Sequence, residues 1–151
     1  MPKYEVNSIY EATTYFLDLV KKNGWKVYTV QPKHFERHRY IVIYREEHVT
    51  TIPRIVRREV RIYLVYQRHL LEEFDKLYGT QGMGKAVGIN MSILEWATNA
   101  VDLLIFVTKD GMIFAVSPQK YLELVNENGW TRETRTKELV ANLPIKYCEI
   151  L

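Results

Sequence analysis

The chain has 151 residues and a formal net charge of +3, with 47% hydrophobic and 26% charged residues, a balance that excludes a disordered or collagen-like polymer. No apolar run approaches the ~20 residues that cross a bilayer, and the opening MPKYEVNSIYEATTYF lacks the apolar core of a signal peptide. These features predict a soluble cytoplasmic protein without a membrane partner, long enough to form one domain over residues 1–151 with no disulfide or metal staple.

In chain order, Ser8 to Asn23 predicts a first helix. Ile9, Ala12, Tyr15, Phe16, Leu19 and Val20 make one apolar stripe, Ser8 and Glu11 form a capping box, and Asn23-Gly24 supplies the stop. Trp25–Val30 reads as a strand, followed by a polar loop over Gln31–Arg37. Tyr40–Tyr44 (YIVIY) is apolar on both faces and predicts a central strand. Glu46–Pro53 reads as a loop or a short extra strand. In Val60–Gln67, alternation puts Val60, Ile62, Leu64 and Tyr66 on one face, with Glu59, Arg61, Tyr63, Val65 and Gln67 on the other.

His69–Tyr78 predicts a helix, Ala86–Met91 a strand, and Ser92 with Glu95 the capping box of a short helix. Asp102–Thr108 and Met112–Val116 flank Lys109-Asp110-Gly111 as a hairpin. Ser117-Pro118 opens another helix that runs to Asn128-Gly129. Thr131–Lys137 is polar, and Ile145–Ile150 reads as a last strand carrying Cys148, the single cysteine, as a small buried hydrophobe. The order predicts an α+β fold: a single domain around a mixed sheet flanked by helices. LDLV–NGW at 17–25 is echoed by LELV–NGW at 122–130, which fits shared helix-ending chemistry better than duplication.

The positive charge is concentrated. Residues 33–69 hold nine bases, eight of them arginine, against four acids, so this segment is +5 and the remaining residues sum to −2. Phe35, Tyr40, Tyr44, Tyr63 and Tyr66 are interleaved with them. Arginine's planar fork suits phosphate, and arginine with exposed aromatics is what a phosphate-and-base surface uses. The competing expectation is a solvated, salt-bridged face with its tyrosines in the core.

Gly79–Ala86 (GTQGMGKA) approaches the phosphate-binding pattern GxxxxGK[ST], but Ala86 replaces the Mg²⁺-holding hydroxyl and a helix precedes the loop where a strand is required. A flexible loop that brings Lys85 to a phosphate backbone fits better. HFERH places His34 and His38 four apart without the glutamate of a zinc-protease helix.

A helix carrying Glu11, the NGWKV strand entry, two more strands, a helix and a strand resemble the αβββαβ core of restriction-endonuclease-like PD-(D/E)xK proteins over residues 8–91. The resemblance implies an acid on the first helix, where Glu11 stands, and a second acid at the start of the second strand, where this chain has Arg39-Tyr40 with Glu46 and Glu47 beyond. It implies Glu-x-Lys on the third strand, where this chain offers Glu59-Val60-Arg61 early or Val65-Tyr66-Gln67 later. A second placement starts at residue 69 and puts Asp102 at the strand-acid position.

Three readings follow. In the first, the protein binds DNA or RNA through Arg54, Arg57, Arg58, Arg61, Tyr63 and Lys85. In the second, it is a Mg²⁺- or Mn²⁺-dependent nuclease, with Glu11, Glu47 and Glu59 as metal ligands and Arg61 in the lysine's catalytic place. The third is a non-enzymatic interaction protein that forms a homo-oligomer. Few glutamines beside abundant arginine, tyrosine and β-branched residues also fit a thermophilic source.

Overall fold

The computed structural model describes residues 5–49, 54–72 and 84–151. Helix α1 (Ile9–Lys22) starts where Ser8 Oγ accepts the Glu11 backbone N–H at 3.1 Å, while the Glu11 carboxylate accepts from Asn7 N–H at 2.6 Å. Gly24, at φ +88°, closes the helix. The Trp25 N–H then donates back to the Val20 carbonyl (3.1 Å) and the Gly24 N–H to the Lys21 carbonyl (3.0 Å), the paired bonds of a Schellman stop.

Strands β1 (Lys26–Lys33), β2 (Phe35–Val49) and β3 (Arg54–Gln67) form an antiparallel meander. Two sequence expectations are corrected here. Gln31–Arg37 is not a loop, because β1 and β2 turn on the single residue His34, held at φ +63°. Glu46–Val49, read as a loop or a short extra strand, extends β2, and the rest of that segment, 50–53, lies outside the described residues. Helix 69–78 is also absent over its described part: 69–72 are not helical, and Leu71 instead bridges Ala86. Residues 73–83, with most of the glycine-rich motif, lie outside the described residues.

The chain continues as β4 (Ala86–Asn90), α2 (Met91–Ala100), β5 (Leu103–Thr108), β6 (Ile113–Val116), α3 (Pro118–Asn128), β7 (Thr131–Glu133), β8 (Leu139–Pro144), a 3₁₀ turn (Ile145–Tyr147) and β9 (Glu149–Ile150). Asn90 caps α2, accepting from Ser92 N–H at 2.9 Å, so Ser92 is a capped residue and not the expected cap. Ser117 caps α3 as expected. Gly129 ends α3 at φ +66°, and Trp130 N–H returns to the Val125 carbonyl at 3.1 Å, the same closure that ends α1. The LDLV/LELV–NGW echo is thus a helix-ending signal used twice.

The strands form two sheets instead of the one expected. Six lie in the order β1-β2-β3-β5-β6-β9, with β3 and β5 parallel and the other neighbours antiparallel. β4, β8 and β7 form a small antiparallel sheet; the expected last strand, 145–150, is mostly the 3₁₀ turn and only two residues of β9. The alternation read in β3 sorts its side chains as expected. Ile62, Leu64 and Tyr66 pack with Ile41, Ile43, Ile105 and Val107 under Ala12 and Phe16 of α1. Tyr63 and Val65 face α2, α3 and the small sheet, in a core with Leu104, Phe106, Leu94 and Tyr121. The result is an α+β domain whose large sheet is covered on both sides. Among the described residues no helix is long and apolar enough to cross a membrane.

Candidate nucleic-acid interface

The basic segment folds into the longest strand pair of the molecule. β1 covers β2 only as far as Tyr44, and β5 joins β3 only from Ile62. Between these limits and residues 50–53, Arg45–Val49 and Arg54–Arg58 pair, among the described residues, only with each other, from Arg45–Arg58 to Val49–Arg54. A two-stranded ribbon therefore extends the covered sheet. Strand alternation puts Arg45, Glu47, Arg54 and Arg58 on the face shared with α1, and Tyr44, Arg57, Glu59 and Arg61 on the other.

Each guanidinium has a local setting. Arg57 lies over the rings of Tyr44 (4.1 Å) and Tyr28 (4.8 Å) and meets Glu59 at 3.2 Å. Arg58 meets Glu47 at 3.2 Å with a side chain 68% exposed. Arg45 stacks on Trp25 at 4.4 Å and donates to the Asn23 carbonyl at 2.6 Å. Arg54 is exposed. Arg61 stands at the root of the ribbon, 3.7 Å from Asp102. The Asp102 carboxylate also accepts the Arg61 backbone N–H at 2.8 Å, while Asp102 N–H donates to the Arg61 carbonyl. Asp102 thereby fastens the first turn of the β3–β5 parallel pairing, a structural task.

Two expected contacts lie elsewhere. Tyr63 is fully buried, so it packs and does not stack on a base. Its hydroxyl joins His38 Nδ1 (2.5 Å), His34 Nδ1 (3.1 Å) and the Lys33 carbonyl (3.3 Å), and its ring packs edge-on against Trp96. Burial raises the phenol well above its usual range. Burial also drops His38 to about 4, helped by the charges of His34, Arg37 and Arg39. The two histidines of HFERH are therefore hydrogen-bond partners of a buried phenol, one on the tight turn and one on β2. Lys85 stands just before β4, beside His69 and Lys109, away from the ribbon.

The expected metal ligands are not brought together. Glu47 and Glu59 lie on opposite faces of the ribbon, each already paired with an arginine. Glu11 sits in the first turn of α1, and that turn is tied to the far end of β3 by the Tyr66 hydroxyl, which donates to the Val6 carbonyl at 2.7 Å. From Glu59 to Tyr66 the strand advances about 23 Å at ~3.3 Å per residue. Among the described residues no group of three histidine, cysteine or carboxylate side chains is arranged to hold a metal. The physical reason is strand parity and distance: acids close in sequence on a long hairpin diverge across its faces. Arg61, paired with Asp102, has no acid trio to serve.

Sequence reasoning missed two features. The residues that seat the ribbon's arginines, Trp25 just before β1 and Tyr28 on it, lie outside the basic segment. A cleft of about 410 Å³ also opens where the carboxyl end of β3 meets the small sheet, rimmed by Arg37, Arg68 and Arg132. Arg37 and Arg68 fall within the basic segment, but Arg132 arrives only through the folding of β7 beside β8, which no local signal announces. Compared with protein families, curated proteins and solved structures, the chain matches none of them.

Proposed function

We propose that this protein binds nucleic acid through the β2–β3 ribbon, with Arg54, Arg57, Arg58 and Arg61 on phosphates, on a scaffold resembling the restriction-endonuclease-like core. The observation that carries this reading is the ribbon itself: two strand ends that, among the described residues, pair only with each other and bear arginines on both faces. A two-stranded ribbon is one of the few elements that a duplex major groove, about 12 Å wide, admits. The ion pairs of Arg57 and Arg58 do not oppose it. Exposed pairs contribute about 0–1 kcal/mol, so a phosphate can displace a carboxylate, and the rings under Arg57 hold its guanidinium ready. The scaffold reading is supported by a helix and three antiparallel strands followed, after the interposed β4 of the small sheet, by a helix and a strand parallel to the third. The separation of Glu47 and Glu59 on opposite faces of the ribbon favours binding over cleavage.

The test is a fluorescence-anisotropy titration of labelled duplex and single strands at several salt concentrations. Four phosphate contacts predict a slope of log K against log salt of about −3 to −4 on duplex. The double variant Arg57→Ala/Arg58→Ala should flatten that slope by about two and weaken binding on all sequences alike. Unchanged affinity in the double variant, or no binding at low salt, overturns the proposal.

A further inference from the structure

The cleft between the two sheets holds a group that the fold leaves unused. Asn142 on β8 is fully buried, its backbone N–H donates to the Trp130 carbonyl at 2.9 Å, and among the described residues neither its amide nitrogen nor its amide oxygen has a hydrogen-bond partner. An unsatisfied buried donor or acceptor costs about 1–3 kcal/mol. The neighbouring core does not tolerate such a cost: the buried Tyr121 hydroxyl lies 2.8 Å from the Ala141 carbonyl and 3.3 Å from that of Val87. Asn142 belongs to the lining of the cleft, on the face of the small sheet opposite Ala141 and Leu143, which enter the core.

Gly88 makes the same point from the facing strand. It pairs directly with Asn142, and a Cβ there would come to 3.0 Å from Asn142 Oδ1. Gly88 has no left-handed φ that would demand glycine. Glycine at this position keeps β4 clear of the amide oxygen, which a side chain there would press on. Around that floor stand Arg37, Arg68 and Arg132, with Phe35 at the rim, 48% exposed, and Glu138 as the one carboxylate among the described lining residues.

We propose that this cleft binds a phosphorylated nucleoside, with the Asn142 amide on the edge of the base and Arg37, Arg68 and Arg132 around the phosphate. An amide presents a donor and an acceptor side by side, the pattern that pairs bidentately with adenine N6 and N7. Three arginines supply the charge for a phosphate. The volume falls within the ~300–1,000 Å³ of small-molecule sites. The nucleotide is either free or the phosphorylated end of a strand. This site shares no residue with the ribbon and does not depend on it.

The test is calorimetric titration of the whole chain with adenosine 5′-monophosphate, adenosine and inorganic phosphate. The nucleotide should saturate one site, with adenosine and phosphate each at least tenfold weaker. Asn142→Leu, close in size and without the unpaired atoms, should weaken the nucleotide at least tenfold without lowering the thermal midpoint. Gly88→Ala should weaken it through the methyl group placed before the amide, and it decides the question if the leucine variant fails to fold. Arg57→Ala/Arg58→Ala should leave this binding unchanged. Competition by a 5′-phosphorylated oligonucleotide, and not by its 5′-hydroxyl counterpart, identifies a strand end; failure of both to compete identifies the free nucleotide. The proposal is overturned if none of the four common nucleoside monophosphates binds at millimolar concentration, if phosphate alone binds as tightly, or if both cleft variants bind normally.

Discussion

The two halves of β3 belong to one strand and pair with one partner, yet they obey different chemistry. Ile62–Tyr66 are buried on both faces, whereas Arg54–Arg61 hold five exposed charges and only two half-buried valines. Backbone pairing with β2 is continuous through both. What changes is coverage: β5 joins at Ile62, α1 lies over one face, and α2 with the small sheet lies over the other. Where cover exists, hydrophobic burial holds the strand and its polar groups need partners. Where it ends, arginine stacking and exposed ion pairs stiffen the ribbon at little cost in stability, and its charges are available to a ligand.

The sharpest way to break this comparison is to truncate one residue in each half on the same face. Leu64→Ala, fully buried beneath α1, should lower unfolding free energy by about 2–5 kcal/mol in urea titration. Arg58→Ala should cost no more than about 1 kcal/mol. Similar losses would mean that the ribbon is as integral to the fold as the covered sheet.

Acid titration gives the next effect. His38 is held at about 4, below its ordinary 6.5, so the unfolded chain takes up its proton first. The resulting stability is full above pH 6.5 and is lost as pH falls towards 4, by about 3 kcal/mol in all. His34 is lowered too and acts in the same direction. Thermal midpoints between pH 7 and 4 should fall, and His38→Gln should flatten the fall. A pH-independent midpoint across that window would remove the buried His38–Tyr63 pairing from the account of the core.

The smallest effect sharpens the contrast. Arg57→Ala/Arg58→Ala, which should remove about half of the ribbon's salt-dependent binding, should shift unfolding free energy by no more than about 1 kcal/mol, checked on the same preparations by urea titration. A larger loss would make the ribbon's ion pairs structural and its arginines poor candidates for a ligand.

Local signals in this chain were legible. The caps at Ser8 and Ser117, the stops at Gly24 and Gly129, and the turn at Gly111 are written in adjacent residues, because a capping bond spans only a few positions. The inward alternation of β3 was legible for the same reason: strand parity is a property of the strand. Asn90 took the capping role expected of Ser92 because both are good caps two residues apart, and the strand end at Asn90 decided between them. The resemblance suggested the order of the first elements, but the helix before the parallel strand is α2 and not residues 69–78.

By itself, the sequence determined the boundaries of α1 and α3, the two-faced character of β3, the α+β class and the concentration of arginine between residues 33 and 69, since each depends on neighbours a few positions apart. Only the tertiary structure decided that Tyr63 is a buried hub and not a stacking platform, that Glu11, Glu47 and Glu59 never meet, that Asp102 fastens a strand pair, and that β8 carries Asn142 unpaired over Gly88. Those outcomes depend on which strands become neighbours across tens of residues, and on what lies above them. Long-range packing chooses this from among many arrangements that the same local patterns allow.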